Sequence, residues 1–114
     1  DGANLTEANL TEANLWLANL PQANLTRSNL TGTNLVEAYL TEADLTRANL
    51  TGADLTEADL EQADLTGAYL NGSELLNATG IDLGPDRVFK GAPDGYRIQR
   101  SRLSGRDYGL VRTT

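Results

Sequence analysis

The chain has 114 residues, with 9 Lys and Arg against 16 Asp and Glu and a net charge of −7, which is the size of one small acidic domain. It contains no Cys and no His, so a disulfide framework and a thiolate zinc site are excluded, and the usual general base is missing. No apolar run of about eighteen residues is present, so no membrane span is expected.

The first 25 residues already carry the main pattern. "ANLTEANLTEANLWLANLPQANL" places a Leu at every fifth position, and the series runs from Leu5 to Leu75, fifteen times without a gap. Ala stands two residues before each Leu, replaced only by Ser28, Thr33 and Ser73. Asn or Asp usually stands one residue before it, and Thr usually follows it.

A spacing of five suits neither regular element. Five residues of α-helix rotate by about 140° net, so the Leu residues would spiral around the axis without forming an apolar stripe. In a strand an odd spacing alternates faces, and half the Leu residues would point to water. A chain that bends once every five residues can point every Leu and its Ala inward from a separate short side. Internal periodicity of this kind marks a solenoid.

A longer period sets the number of sides. Residues 24–43, "NLTRSNLTGTNLVEAYLTEA", align with residues 44–63, "DLTRANLTGADLTEADLEQA". Arg27 then matches Arg47, Gly32 matches Gly52 and Glu37 matches Glu57, and Gly72 continues the glycine series. Twenty residues make four sides per coil, a square tube of about four coils. Asn and Asp are expected at its corners, where short polar side chains bond to nearby backbone.

This A(N/D)LXX repeat over residues 1–78 resembles the pentapeptide repeat family. The resemblance implies an all-β fold, a right-handed quadrilateral parallel β-helix, with Leu as the central inward residue. The Ala two residues earlier would also point inward, and the other three positions would face solvent.

Past Ala78 the register fails. Gly80 stands where the next Leu belongs, and Pro85 breaks the one after. Residues 79–114 are therefore expected to form a short irregular C-terminal cap, with a turn at Pro93-Asp94-Gly95 and one or two short strands or loops that include Tyr96 and Ile98. Residues 86–110 are expected over the last coil, because an open strand edge invites pairing. "PDGYRI" followed by "LSG" is similar to segments flanking the repeats in some bacterial members, which implies a bacterial source. At the other end Ala3 is already in register, so the first coil is expected to pair with another chain or to continue into further sequence. No basic-then-apolar leader is visible, and a cytoplasmic location is the expectation, although the chain opens at Asp1 rather than at a methionine.

Charge is divided along the chain. Residues 1–75 carry twelve acidic and two basic residues, and residues 76–114 carry four acidic and seven basic ones. An acidic body disfavours nonspecific binding of nucleic acid. Sorting by the twenty-residue period gives a mixed-charge first side with Glu7, Arg27, Arg47, Asp44 and Asp64. The second side reads as close to neutral, with Gly32, Gly52 and Gly72 beside Asn9, Asn29 and Asn49 and Glu12 as its one acid. The third side has Glu37, Asp54, Glu57 and Glu74, and the fourth has Glu42, Asp59 and Glu61. A solvated surface accounts for these acids without a partner.

Trp16, Leu17, Val36 and Leu76 occupy outward positions on the third side, with Trp16 and Val36 on adjacent coils. Lone exposed apolar residues are ordinary, but a patch can mark a contact. The candidate partner surface is therefore Trp16, Leu17, Val36, Leu76, Glu37, Asp54, Glu57 and Glu74. Three weaker readings are a calcium ion between Asp44 and Asp64, glycoside chemistry at Asp59 and Glu61, and nucleic-acid binding by Arg97, Arg100, Arg102 and Arg106 with Tyr96 and Tyr108. None outweighs plain solvation, and a convex tube offers no cleft. No catalytic residue, metal or cofactor is expected.

The expected function is a non-catalytic structural or protein-interaction module with an unidentified protein partner. The alternative is a DNA mimic that binds a type II topoisomerase, gyrase, as the resemblance to quinolone-resistance members implies. About four coils at ~4.8 Å per coil make a tube of roughly 18 Å, the length of only ~5 base pairs, so strong gyrase inhibition is not expected.

Overall fold

The computed structural model describes residues 2–80, Pro93, and the backbone of two strands at 96–100 and 107–112.

Residues 2–80 form the square tube. Parallel bridges join each residue to the one twenty positions later in four ladders. The first side carries Asn4, Asn24, Asp44 and Asp64. The second carries Asn9, Asn29, Asn49 and Tyr69. The third carries Asn14, Asn34, Asp54 and Glu74, and the fourth Asn19, Tyr39, Asp59 and Thr79. Four rungs per ladder make four coils, as the sequence period requires.

One pentad shows why the repeat has its composition. Leu5 N–H donates to the Asn24 carbonyl at 2.8 Å, and Asn24 N–H donates back to the Ala3 carbonyl at 2.8 Å. Glu7 N–H donates to the Thr26 carbonyl at 2.9 Å, and Ala8 N–H closes the turn onto the Leu5 carbonyl at 3.0 Å. The remaining donor, Thr6 N–H, bonds to Asn4 Oδ1 at 3.2 Å, and the Thr6 hydroxyl donates to the same oxygen at 2.8 Å. In a pentad of the second coil that carries Asn, this pattern gives all five N–H groups an acceptor, as buried backbone demands. Thr and Asn/Asp repeat because together they satisfy the fifth.

This geometry corrects the expected place of Asn and Asp. They stand at the middle of each flat side, on the ladders, and the corners are the two residues after each Leu. The side chain reaches from the flat side to the corner it precedes.

The second corner residue is left-handed throughout: every fifth residue from Gly2 to Asn77 has φ between 57° and 72°. A turn closed by an i to i+3 hydrogen bond with positive φ at its third residue follows the type II pattern. No β-branched residue occupies any of these positions, consistent with the steric cost such a residue meets there. Pro21 fills the preceding corner position, where its fixed φ is suited and its missing N–H needs no acceptor from Asn19.

The core is the stack of inward Leu and Ala. Leu40 and Leu50 are fully buried, and every central Leu from Leu25 to Leu75 is at most 5% exposed. Leu5, Leu10, Leu15 and Leu20 are only partly buried. The expectation of full burial from Leu5 onward is corrected there, because the described residues place no coil beneath the first. Thr33 and Ser73 hold their hydroxyls on the Leu10 and Leu70 carbonyls at 2.8 and 2.9 Å. The Ser28 hydroxyl is buried with no partner.

The fourth ladder ends at Thr79, one residue past the expected boundary at 78. Further on, β1 (Tyr96–Arg100) and β2 (Asp107–Arg112) pair antiparallel. The register shifts between Ile98 and Gln99, which pair with Leu110 and Tyr108, so Gly109 is the extra residue of a bulge. These two short strands, the first of which includes Tyr96 and Ile98, agree with the one or two short strands expected in the C-terminal segment. The turn expected at 93–95 and the placement of 86–110 over the last coil lie for the most part outside the described residues, as do the side chains of the tail arginines and tyrosines.

Candidate protein-contact surface

The third side and the corner that follows it hold the candidate residues. Along that corner Trp16, Val36, Thr56 and Leu76 stack at the first position, and Leu17, Glu37, Glu57 and Asn77 at the second. Successive members of a column lie one coil apart, about 4.8 Å. Leu17 N–H donates to the Val36 carbonyl at 3.0 Å, which fixes the two coils in register.

Trp16 is 56% exposed and Leu17 42%, while Val36 is half-buried between its column neighbours. These three form one apolar corner. Leu76, 65% exposed, stands two coils from Val36 with Thr56 between them, so it does not join the patch. A residue not singled out from the sequence does extend it: Tyr39, 51% exposed, follows Val36 by three residues and begins the fourth side. Its signal was a Tyr at a ladder position where the repeat has Asn or Asp.

The acids separate by role. Glu37 and Glu57 project from the same corner on adjacent coils and are exposed. Asp54 is half-buried, and its Oδ1 accepts from the Thr56 N–H at 3.0 Å and from the Thr56 hydroxyl. Asp54 therefore caps its own turn as well as adding charge. Glu74 occupies the next rung of the same ladder and is exposed. The third side thus carries Trp16, Leu17 and Val36 on its first two coils and its acids on the second to fourth coils.

The other sequence candidates are ordinary parts of the repeat. Asp44 and Asp64 do bridge on one ladder, but each holds a turn N–H on Oδ1, from Thr46 at 3.0 Å and Thr66 at 2.9 Å. No group of three or more His, Cys, Asp or Glu able to hold a metal occurs among the described residues. Asp59 Oδ1 accepts from the Glu61 N–H at 3.0 Å, the same turn contact. Among the described residues no helix is long and apolar enough to cross a membrane.

The model of pentapeptide repeats matches residues 3–41 and 33–72 with eight copies. Three solved structures are similar to the chain. A pentapeptide repeat protein of the Arabidopsis thaliana thylakoid lumen is 29% identical with a TM-score of 0.72, over 83% of this chain and 64% of its own. A pentapeptide repeat protein from Nostoc PCC 7120 is 36% identical with a TM-score of 0.65, over 66% and 62%. One from the cyanobacterium Cyanothece 51142 is 32% identical with a TM-score of 0.53, over 81% and 58%. The chain thus spans about three fifths of the length of these relatives. They come from a plant and from cyanobacteria, so the likeness does not single out a bacterial source. No match to the chain is found among curated proteins. Eight repeat copies, a twenty-residue coil and an architecture shared with solved right-handed β-helices together place the assignment beyond composition: the chain belongs to the pentapeptide repeat family.

Proposed function

We propose that the chain is a non-catalytic protein-interaction module and that its third side is the surface it offers to a protein partner. The observation that carries this reading is the apolar corner of Trp16, Leu17 and Val36 set directly beside the exposed Glu37. Large exposed aromatic residues supply much of the energy of protein contacts. A convex tube with no core residue turned outward gives rigid, evenly spaced side chains, which suits recognition better than bond-making. Leu76, Asp54, Glu57 and Glu74 extend the same side toward the later coils and complete the proposed footprint.

The test is affinity capture with quantitative comparison of variants. A protein retained by the native chain should be lost with Trp16→Ser and with the double charge reversal Glu37→Lys and Glu57→Lys. It should be kept with Glu7→Lys on the first side. A retained set that none of these variants changes would refute the reading.

Gyrase binding by mimicry of DNA is the second reading, and one observation favours it: seven acids sit on the third and fourth sides, with no base among them. Against it, Arg27 and Arg47 stack on the first side, the second side carries no acid on its ladder, and four rungs are short beside a duplex site.

A further inference from the structure

We propose, on the reading of this surface as a protein contact, that its occupant is an arginine-rich protein segment. One arginine of that segment lies on the Tyr39 ring, among the carboxylates of Glu37, Glu57 and Asp59, and its apolar residues cover the corner of Trp16, Leu17 and Val36.

Tyr39 is 51% exposed on the fourth ladder, where it bridges Asn19 on the coil before and Asp59 on the coil after. A cation held on the ring sits within ~6 Å of its centre, and Asp59 stands one coil away, ~4.8 Å. On the second coil Glu37 precedes Tyr39 and Glu42 follows it, and on the third coil Glu57 and Glu61 flank Asp59. All four Glu residues are exposed. Asp59 uses Oδ1 to accept from the Glu61 N–H at 3.0 Å, and a carboxylate has a second oxygen to offer a partner.

Charge selects a basic occupant. The two bases of residues 2–80, Arg27 and Arg47, occupy the corner after the first side, diagonally across the square tube. Among the described residues, therefore, no basic side chain of the chain itself stands beside these acids. A face of one sign favours a partner of the other and rejects like charge.

The ring selects arginine over lysine. A guanidinium is planar, stacks on aromatic faces and forks onto carboxylates, whereas an ammonium is a compact, strongly hydrated charge. The turn does not account for Tyr39, because it replaces the Asn or Asp whose side chain elsewhere accepts from the turn N–H. Tyr69 makes the same replacement on the second side and is 45% exposed. Its pentad runs from Gly67 to Gly72, and the Arg47 side chain lies against Gly67. Tyr69 thus offers a similar ring without the acids.

Fluorescence anisotropy of labelled hexa-arginine and hexa-lysine peptides, titrated with the chain, tests the proposal. Hexa-arginine should bind more tightly than hexa-lysine. Tyr39→Asn installs the repeat's own ladder residue, and should weaken hexa-arginine about two- to fivefold while moving hexa-lysine less. Tyr39→Phe keeps the ring and should bind like the native chain, as should Tyr69→Asn. Combining Glu37→Gln, Glu57→Gln and Asp59→Asn keeps the turn acceptor and should weaken both peptides. Equal affinity for the two peptides, or a Tyr39→Asn chain that binds hexa-arginine as the native chain does, would overturn the proposal. Affinity capture separates it from the broader reading. A partner lost with Trp16→Ser but kept with Tyr39→Asn sustains the contact surface and overturns its arginine-rich occupant. Binding of hexa-arginine that depends on Tyr39, beside a captured set that Trp16→Ser leaves unchanged, supports the arginine contact and refutes the wider footprint.

Discussion

Gly80 lies against the backbone of Glu61: a Cβ built on Gly80 would fall 2.4 Å from both the Cα and the nitrogen of Glu61. Its φ of 78° is also one that other residues rarely adopt. Gly80 stands where the next inward Leu of the repeat would fall, and the close backbone leaves no room for a side chain there. Gly80→Ala should therefore lower stability by about 1–3 kcal/mol, since it meets rigid backbone as well as an unfavourable φ. Gly52→Ala is the control. It has a similar φ of 68° but open space around it, so its loss should be nearer ~1 kcal/mol. Urea denaturation of the two variants separates the two causes.

The buried hydroxyl of Ser28 has no acceptor, although the hydroxyls of Thr33 and Ser73 at equivalent inward positions do. Ser28→Ala restores the repeat's own residue and removes a buried unpaired group, so it should raise stability by about 1–2 kcal/mol. Ser73→Ala gives up a hydrogen bond and should be neutral or slightly destabilising. Melting curves of the two variants should move apart, and an equal response in both would contradict the assigned hydrogen bonds.

Leu50 is fully enclosed, whereas Leu10 is covered on one side only. Leu50→Ala should cost about 2–5 kcal/mol as a core truncation. Leu10→Ala should cost clearly less, because part of that side chain already meets water. Equilibrium unfolding in urea reads this difference. Equal costs would contradict the difference in burial between the two side chains.

Asn29 accepts from the Thr31 N–H and hydroxyl at 3.1 and 2.7 Å. Asn29→Ala should lose about 0.5–1.5 kcal/mol, the net value of a typical hydrogen bond. Tyr39, at the corresponding position of its pentad, offers no such side-chain acceptor, so Tyr39→Asn should gain a comparable amount. A gain in stability from Tyr39→Asn accompanied by weaker partner capture would also mark Tyr39 as held for contact rather than for folding.

For gyrase, the expected outcome is no strong inhibition of supercoiling when the chain is titrated to micromolar levels. Potent inhibition that disappears on reversing the charges of Glu37 and Glu57 would favour the duplex-mimic reading over the proposed one.

The sequence by itself determined the tube, its four sides and the columns on each side. In a solenoid the residues that touch are a constant offset apart, here i and i+20, so a periodicity in sequence is already a statement about contacts. That is why Trp16 and Val36 could be placed on adjacent coils of the third side, and Glu37 and Glu57 on the same side, before any coordinates. The tertiary structure decided what depends on backbone direction. The left-handed second corner residue was not legible, because Glu, Gln, Arg, Leu and Gly all occupy it and only the closed turn imposes its φ. Asn and Asp looked like corner residues until the ladders placed them on the flat sides, reaching to the next turn. That Asn24 bonds through both its N–H and its carbonyl to the coil before it follows from the parallel register, since a residue on a strand sends both groups to the same neighbour. The half-exposed state of Leu5 through Leu20 has the same origin: side-chain identity places a Leu in the core column, but only a neighbouring coil can keep water from it.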